Sequence, residues 1–322
     1  IEARNLFPDP LNGKMQKARL HHETLRRPLA QLAARRTAQT ELLREVVQAL
    51  NATGIKPVLL KGGRYLWLEA NPTRTMRDLD FLVHPNDASD AWDVLISLGF
   101  RPEGAGSART NRHHMPPMFR EGTIGWIELH RRAGNPYAEQ FLTTTEIREQ
   151  SKQVATAHGL ALLPTTAHHI WHGLVHHQFG HSGFARGRLE LKGLHEFATA
   201  VREASDEDWQ ELLHLAARSG LAWSSLELWC AACETGLSTP LRADGNGRQD
   251  WISSHAKDLA NIWLTRAENE EVRSGVYPGY RELLSLARQT NPTRRTQPNA
   301  TKSWLPEPVK TAIMLAPKLR RA

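Results

Sequence analysis

Two aspartates in one short segment constrain the fold of this chain more than any other feature. The segment Asp78-Leu-Asp-Phe-Leu-Val83 alternates with a period of two and is followed by Pro85, which predicts a β-strand. Residues two apart on a strand project from the same face, so we expect Asp78 and Asp80 to lie side by side. Neighbouring carboxylates repel each other unless a cation lies between them, and a hard ion that prefers oxygen, such as Mg²⁺, is the expected partner.

A strand, a glycine pair and a helix are predicted ahead of these aspartates. Pro57-Val-Leu-Leu60 is a short apolar run typical of a buried strand, Gly62-Gly63 predicts a tight turn, and residues 64–70 predict a helix. Glycines at such a junction let the backbone approach a phosphate group, and the N-terminus of the helix offers N–H donors. The cationic residues close in sequence to this predicted phosphate site are Lys61, Arg64, Arg74 and Arg77.

A third carboxylate comes from a later predicted strand. Ile124-Gly-Trp-Ile-Glu-Leu-His130 places Trp126, Glu128 and His130 on one face. Acids from adjacent strands can hold two metal ions about 3.5–4 Å apart, an arrangement that activates a hydroxyl and stabilises a leaving oxygen in phosphoryl chemistry. We therefore expect Glu128 to join the acid pair.

These motifs carry more information in combination than singly, because an Asp-x-Asp pair alone is usually a solvated strand end and a glycine pair is usually a turn. Gly62-Gly63, 14 intervening residues and Asp78-Leu-Asp80 together resemble the glycine motif and acid pair of the polymerase-β-like nucleotidyltransferase superfamily. More narrowly, the chain resembles the broad bacterial family of uncharacterised nucleotidyltransferases. The segments that carry this narrower resemblance are Leu59-Leu-Lys-Gly62, Arg74-Thr-Met-Arg-Asp-Leu-Asp-Phe-Leu-Val83, Leu98-Gly-Phe100, Ile127-Glu-Leu-His130 and, more loosely, Leu163-Pro164 with His169, His172 and His176.

The resemblance implies a fold and a set of ligands. The fold would be an α/β (α+β) core of the nucleotidyltransferase type with a small mixed sheet, followed by a mostly α-helical C-terminal domain. Asp78, Asp80 and Glu128 would be the catalytic and metal-binding residues for Mg²⁺, with Mn²⁺ as the alternative ion. Gly62 and Gly63 would lie at the triphosphate of an NTP, for which ATP is expected. The superfamily often has Ser where this chain has Gly63. This chain therefore lacks, at that position, a hydroxyl that can contact a phosphate.

The implied reaction moves an NMP group from an NTP to a hydroxyl or phosphate acceptor and releases pyrophosphate. The acceptor stays open between a small molecule, a peptide or natural product, and a protein. Three alternatives remain: a kinase-like phosphoryl transferase on the same fold, a tRNA-modifying nucleotidyltransferase of the toxin type, and a non-catalytic nucleotide- or RNA-binding module. The presence of all three acids favours an active enzyme.

Histidines are the most unusual feature of the composition, since the chain contains 16. His168, His172 and His176 repeat every four residues in a predicted helix, a spacing that stacks side chains on one face and can bind zinc. The run from His168 to His181 contains no acid or cysteine, so packing or substrate contact is favoured over a metal site. The histidines expected as candidate substrate contacts are His114, His130, His172 and His176.

The two cysteines and the hydropathy exclude several classes of protein. Cys230-Ala-Ala-Cys233 has redox spacing, but it lies in a predicted helix interior, so we expect buried structural thiols. Two cysteines exclude a disulfide framework and fit a reducing cytoplasm, where we expect this chain to act. No apolar run approaches the ~20 residues of a membrane-spanning helix, so we expect no membrane partner.

The net charge of +7 is concentrated at the C-terminus. Residues 291–322 hold seven basic residues and one acid, whereas residues 51–130 hold nine of each sign. A nucleic-acid partner is therefore compatible with the charge but not favoured. The expected organisation is N-terminal helices over 1–52, a nucleotidyltransferase core over 53–140, a helical domain over 141–290 and a basic Pro-rich tail over 291–322. We expect a loop over 101–122 and no strand beyond about residue 140.

Overall fold

The computed structural model describes residues 10–68, 76–103, 113–237 and 250–274. The chain divides into two compact units. The first takes in Ile1–Arg109, His114–His130 and Gln153–Ala161, and the second takes in Thr110–His113, Arg131–Lys152 and Leu162–Ala322. Arg74 and the predicted tail over 291–322 lie outside the described residues.

A mixed seven-stranded sheet forms within the described residues, which confirms the expected fold class. The strands are β1 (Val58–Leu59), β2 (Asp78–Leu82), β3 (Arg101–Pro102), β4 (Met118–Phe119), β5 (Trp126–His130), β6 (Ser151–Thr156) and β7 (Gly159–Pro164). Their order across the sheet is β3-β4-β5-β2-β1-β7-β6. β2 runs parallel to β5, while β1–β2, β3–β4 and β4–β5 are antiparallel. The strands predicted over 57–60, 78–83 and 124–130 are therefore confirmed as β1, β2 and β5.

The register between β2 and β5 determines which side chains share a face. Leu79 pairs with Ile127 and Phe81 pairs with Leu129, and all four side chains are fully buried. Burying each of them stabilises the fold by about 1.5–3 kcal/mol. A shift of one residue would expose this apolar set and turn Asp80 into the core. The apolar face therefore fixes where the carboxylates lie on the opposite face.

One long helix precedes the sheet, where the sequence led us to expect N-terminal helices over 1–52. α1 extends over Pro10–Ala52, and Gly54 follows it with a φ of +83°, which favours glycine. Leu43, Val46 and Leu50 lie on its buried stripe at helical spacing. The first unit also contains α2 (Gly62–Trp67) and α3 (Ala88–Ser97).

The expectation that no strand follows residue 140 is wrong, because β6 and β7 lie beyond it. β6 is an edge strand with mostly exposed polar side chains, so it lacks the apolar alternation that would identify it. Asn51 of α1 accepts a hydrogen bond from Leu160 N at 2.7 Å and donates one to Leu160 O at 3.0 Å. Trp67 Nε1 also donates to Val154 O. These contacts are distant in sequence, and no local pattern indicates them.

The expected loop over 101–122 is also wrong in part. Residues 104–112 are outside the described part, but β3 and β4 on either side of them pair as two-residue strands. Each is too short to show a period in the sequence. They extend the sheet beyond β5 through antiparallel pairing.

Helices dominate the described part of the second unit. They are α4 (Thr144–Glu149), α5 (Thr166–Val175), α6 (Gly183–Arg186), α7 (Leu191–Glu203), α8 (Asp206–Ala217), α9 (Gly220–Leu237) and α10 (Ser254–Ser274). A π-helical turn over His176–Gly180 continues α5. Ser205 and Asp208 form a reciprocal capping box at the start of α8.

The two cysteines lie in the interior of α9, as expected. Cys230 and Cys233 are both buried and unbridged, and burial raises the pKa of each thiol. Such thiols are poor nucleophiles. Among the described helices, none combines the length and the hydropathy needed to cross a membrane.

Candidate active site

Parallel pairing of β2 with β5 brings the predicted carboxylates together. Asp80 lies directly opposite Glu128, and Asp78 lies opposite Trp126 one step earlier on the same face. Asp80 is 2% exposed, whereas Asp78 and Glu128 are partly exposed. One carboxylate is therefore enclosed by the fold, and two remain within reach of solvent.

Asp80 has two cationic partners on the same oxygen. Lys61 Nζ lies 2.8 Å from Asp80 Oδ1, and His130 Nε2 lies 2.9 Å from it. The same His130 nitrogen is 3.5 Å from Glu128 Oε2. His130 therefore connects the two paired acids. It lies two residues after Glu128, so both side chains project from the same face of β5, towards Asp80 on the paired strand.

The charges in this cluster are unevenly balanced. Burial would raise the pKa of Asp80, but the charge of Lys61 and the hydrogen bond from His130 outweigh it and hold the pKa well below its usual range. The same carboxylate raises the pKa of both cations against the opposite effect of burial. Burial and then the charge of Asp80 raise the pKa of Asp78. For Glu128, the hydrogen bond from His130 overcomes burial and lowers the pKa.

Three potential metal ligands converge at this point of the sheet. Asp80, Glu128 and His130 each offer one ligand atom, and these three atoms lie within 4.8 Å of one another. The predicted acid set contained Asp78 in place of His130. Asp78 acts on this cluster through its charge, which affects the pKa of Lys61, but it is not one of the three converging ligands.

The glycine pair belongs to α2 rather than to a separate turn ahead of it. Lys61 makes the turn with a φ of +45°, an unusual conformation for a residue with a side chain, and α2 begins at Gly62. A Cβ on Gly63 would lie 3.4 Å from the Cβ of Leu59, so the glycine allows close packing of α2 on the strand. Leu60 N donates to Asp80 O at 3.1 Å, which ties this junction to β2.

The other predicted phosphate contacts are distributed around the same junction. Arg64 lies in the first turn of α2, and Arg77 is exposed just before β2. The backbone O of Arg77 accepts from Trp126 N at 3.1 Å. Arg74 lies outside the described residues.

The predicted histidines separate into two groups. His114 pairs with His130 through an isolated β-bridge, and their ring centroids are 5.4 Å apart. His114 therefore lies beside the acid cluster in the first unit. His172 belongs to the second unit, where its Nε2 donates to Ala133 O at 3.0 Å, and its ring lies 6.1 Å from that of His176.

Comparisons with known proteins place these features in a family. A family model described as uncharacterised nucleotidyltransferase matches residues 13–234. Among solved structures, the antibiotic-resistance factor ANT(2'')-Ia, studied in solution, is similar with a TM-score of 0.42 and 13% sequence identity, over 59% of this chain and 96% of that chain. No match was found among curated proteins.

Proposed function

This chain belongs to the uncharacterised nucleotidyltransferase family, and we propose that it transfers an NMP group from an NTP to a hydroxyl or phosphate acceptor with release of pyrophosphate. It is accordingly a transferase enzyme, and an NTP and an acceptor are its two substrates. The observation that carries the finer proposal is the pairing of Asp80 with Glu128 on adjacent parallel strands, with Lys61 and His130 against Asp80.

The donor set suits a hard divalent cation. Asp78, Asp80 and Glu128 offer carboxylate oxygens, the ligands that Mg²⁺ prefers, and Mn²⁺ accepts the same ligands. The raised pKa of Asp78 reflects burial and unbalanced negative charge, which a cation would relieve. When bound, the ion would neutralise charge on the triphosphate. His130 is then a positioning residue, since its Nε2–H holds the Asp80 carboxylate.

The remaining groups have roles that follow from their charge and place. Glu128 is ionised near neutral pH and partly exposed, so it can accept the proton of an acceptor hydroxyl. The acceptor oxygen then bonds to the α-phosphorus, and the bond to the leaving pyrophosphate breaks. Lys61 can exchange Asp80 for a phosphate oxygen, and the backbone of Gly62 and Gly63 lies at the same junction.

The remaining predicted site residues have proposed roles in substrate binding. Arg64, Arg74 and Arg77 would neutralise phosphate charge, and His114 would contact the acceptor or the nucleotide beside His130. His172 and His176 stay proposed substrate contacts from the second unit. ATP stays the proposed nucleotide.

Product analysis tests this proposal directly. The full chain is incubated with each NTP, Mg²⁺ and pools of small metabolites, peptides, proteins and tRNA, and products are identified by mass spectrometry. Pyrophosphate together with an acceptor heavier by one nucleotidyl group supports the proposal. A nucleoside diphosphate as product would instead identify phosphoryl transfer. Salt-sensitive RNA binding without NTP turnover would identify a non-catalytic module.

A further inference from the structure

A second cluster of potential metal ligands lies in the second unit, among residues that the proposed transfer does not use. Ligand atoms of His177, His181 and Glu190 all lie within 4.8 Å of one another. His177 belongs to the π-helical turn over His176–Gly180, His181 follows that turn directly, and Glu190 directly precedes α7. Two imidazoles and one carboxylate are a donor set typical of Zn²⁺, whereas Mg²⁺ prefers oxygen ligands alone.

The ring of His177 is held in one orientation by its neighbours. It stacks on Trp229 with centroids 5.8 Å apart and an interplanar angle of 25°. A Cβ on Gly193 would lie 2.5 Å from His177 Nε2, so only glycine leaves room for the ring there. Nδ1 therefore faces the other ligands, and it lies 2.7 Å from Glu190 Oε2.

The contact between His177 and Glu190 is close to the spacing that two ligands of one ion require. Tetrahedral Zn²⁺ at about 2.0–2.1 Å from each ligand separates neighbouring donor atoms by roughly 3.3 Å. The observed 2.7 Å is shorter than this spacing, and His177 Nδ1 is buried without a hydrogen-bond partner among the described residues. Glu190 is 49% exposed, so a small rotation of its carboxylate can widen this spacing and admit the ion.

The backbone after His177 has a conformation that returns His181 to the same place. His181 N donates to His176 O at 2.8 Å, the wide hydrogen bond of a π-turn. Ser182 has a φ of +59°, and a Cβ on Gly183 would lie 2.6 Å from His177 O. Single π-turns occur frequently at functional sites, and residues with side chains rarely adopt positive φ without a structural reason.

A pocket of about 430 Å³ opens on this cluster. His177, His181 and Glu190 line one part of it, and Arg186 and Arg188 line another. Three protein ligands leave a tetrahedral ion with one open position, as in catalytic zinc sites. The two arginines would favour an anionic group at that position.

We propose that His177, His181 and Glu190 bind a divalent transition-metal ion of the Zn²⁺ class, with its open coordination position facing this pocket. The site is independent of the proposed transfer reaction, because it shares no residue with the Asp80–Glu128–His130 cluster. Its ligands come from imidazole and carboxylate together, so it should select Zn²⁺ or Co²⁺ over Mg²⁺.

Metal titration of the full chain tests the proposal. Protein stripped with a chelator is titrated with Zn²⁺ by calorimetry, and with Co²⁺ by visible absorption, in an excess of Mg²⁺. We expect one equivalent to bind despite the Mg²⁺, with a Co²⁺ spectrum of low coordination number. His181→Ala and Glu190→Gln should each weaken Zn²⁺ binding by at least about tenfold, the loss that changes to outer-shell partners already cause.

Matched variants separate this site from other histidines and from the acid cluster. His214→Ala removes an exposed histidine of α8 and should leave Zn²⁺ affinity unchanged. Asp80→Asn combined with Glu128→Gln should also retain the Zn²⁺ equivalent. Unaltered Zn²⁺ affinity in both His181→Ala and Glu190→Gln, or no binding by the wild type, would overturn the proposal. Both ligands are exposed, so these variants should keep the wild-type circular dichroism spectrum.

Discussion

The two ligand clusters of this protein are built on different backbone elements. Asp80, Glu128 and His130 come from paired strands, and Asp80 is almost fully buried. His181 and Glu190 are exposed; His181 directly follows a wide helical turn, and Glu190 directly precedes a helix. Strand pairing repeats regularly along the chain. The apolar side chains that fix the register therefore also determine where the polar side chains of the opposite face lie. The turn has no such repeat, and its geometry depends on single residues.

The balance of charge also differs between the two clusters. In the strand cluster, Lys61 and His130 counter the buried charge of Asp80 before any ion or nucleotide is present. In the turn cluster, burial opposes ionisation of Glu190, but His177 and His181 outweigh it and hold the pKa at about 2. The first cluster can exchange internal cations for external ones, whereas the second sets one carboxylate against two imidazoles.

Removal of the buried carboxylate should have the largest effect. Asp80→Asn keeps the size of the side chain but removes the charge that Lys61 and His130 contact. We expect pyrophosphate release to fall by at least about a thousandfold, because charge stabilisation of this kind contributes several kcal/mol. The measurement is initial rate at saturating NTP.

A control acid separates this effect from a general loss of negative charge. Glu121→Gln removes an exposed carboxylate ahead of β5 and should leave the rate unchanged. Pyrophosphate release by Asp80→Asn at the wild-type rate would contradict the assignment of the strand cluster as the active site.

Loss of the lysine partner should lower stability, in addition to removing a proposed phosphate contact. Lys61→Met leaves a carboxylate that is 2% exposed without its 2.8 Å ion pair. Breaking such a pair from one side costs about 3 kcal/mol, so the free energy of unfolding should fall by roughly that amount. Denaturant unfolding measures it, with exposed Lys56→Met as the control. Equal stability of the two variants would mean that His130 alone compensates Asp80.

Most of the strand cluster could be predicted from the sequence, whereas the turn cluster could not. Alternation marked β2 and β5 and placed Glu128 and His130 on one face, but only the register shows that His130 joins Asp80 to Glu128. The run ending at His181 contains no acid, so it gave no complete metal site. Glu190 lies nine residues further on, and the π-turn that places His181 beside His177 has no recognised sequence pattern.

The turn cluster should be sensitive to one methyl group. Gly193→Ala places a Cβ 2.5 Å from His177 Nε2, so the ring must move away from its partners. We expect a loss of about 1–3 kcal/mol in unfolding free energy and weaker Zn²⁺ binding. Gly173→Ala in α5 is the matched control, since nothing lies within 4 Å of its added Cβ. That variant should be as stable as wild type or about 0.5–1 kcal/mol more stable. Wild-type Zn²⁺ affinity in Gly193→Ala would contradict a fixed His177.

The smallest effect should come from a contact that supports the strand cluster without touching it. Arg120 donates to both carboxylate oxygens of Glu45, at 2.7 and 2.6 Å, and to Leu98 O at 2.9 Å. Arg120→Met should lower the free energy of unfolding by about 1 kcal/mol, because the pair is partly exposed. Pyrophosphate release should not change, since the apolar face of β2 and β5 fixes the register. Exposed Arg101→Met is the control.

The stability difference between wild type and Arg120→Met should depend on pH with a definite sign. The hydrogen bonds from Arg120 lower the pKa of Glu45 from 4.5 in spite of desolvation. A lowered pKa contributes stability above the unfolded value and loses it as the pH falls through the folded value. Denaturant unfolding should therefore show a constant difference from neutral pH down to about pH 5, which closes at lower pH. A difference that persists well below the pKa of Glu45 would mean that Arg120 acts mainly through Leu98 O and the face of Phe100, 4.7 Å from its guanidinium carbon. A fall in pyrophosphate release without loss of stability would instead mean that Arg120, and not the apolar face, holds β5 in register.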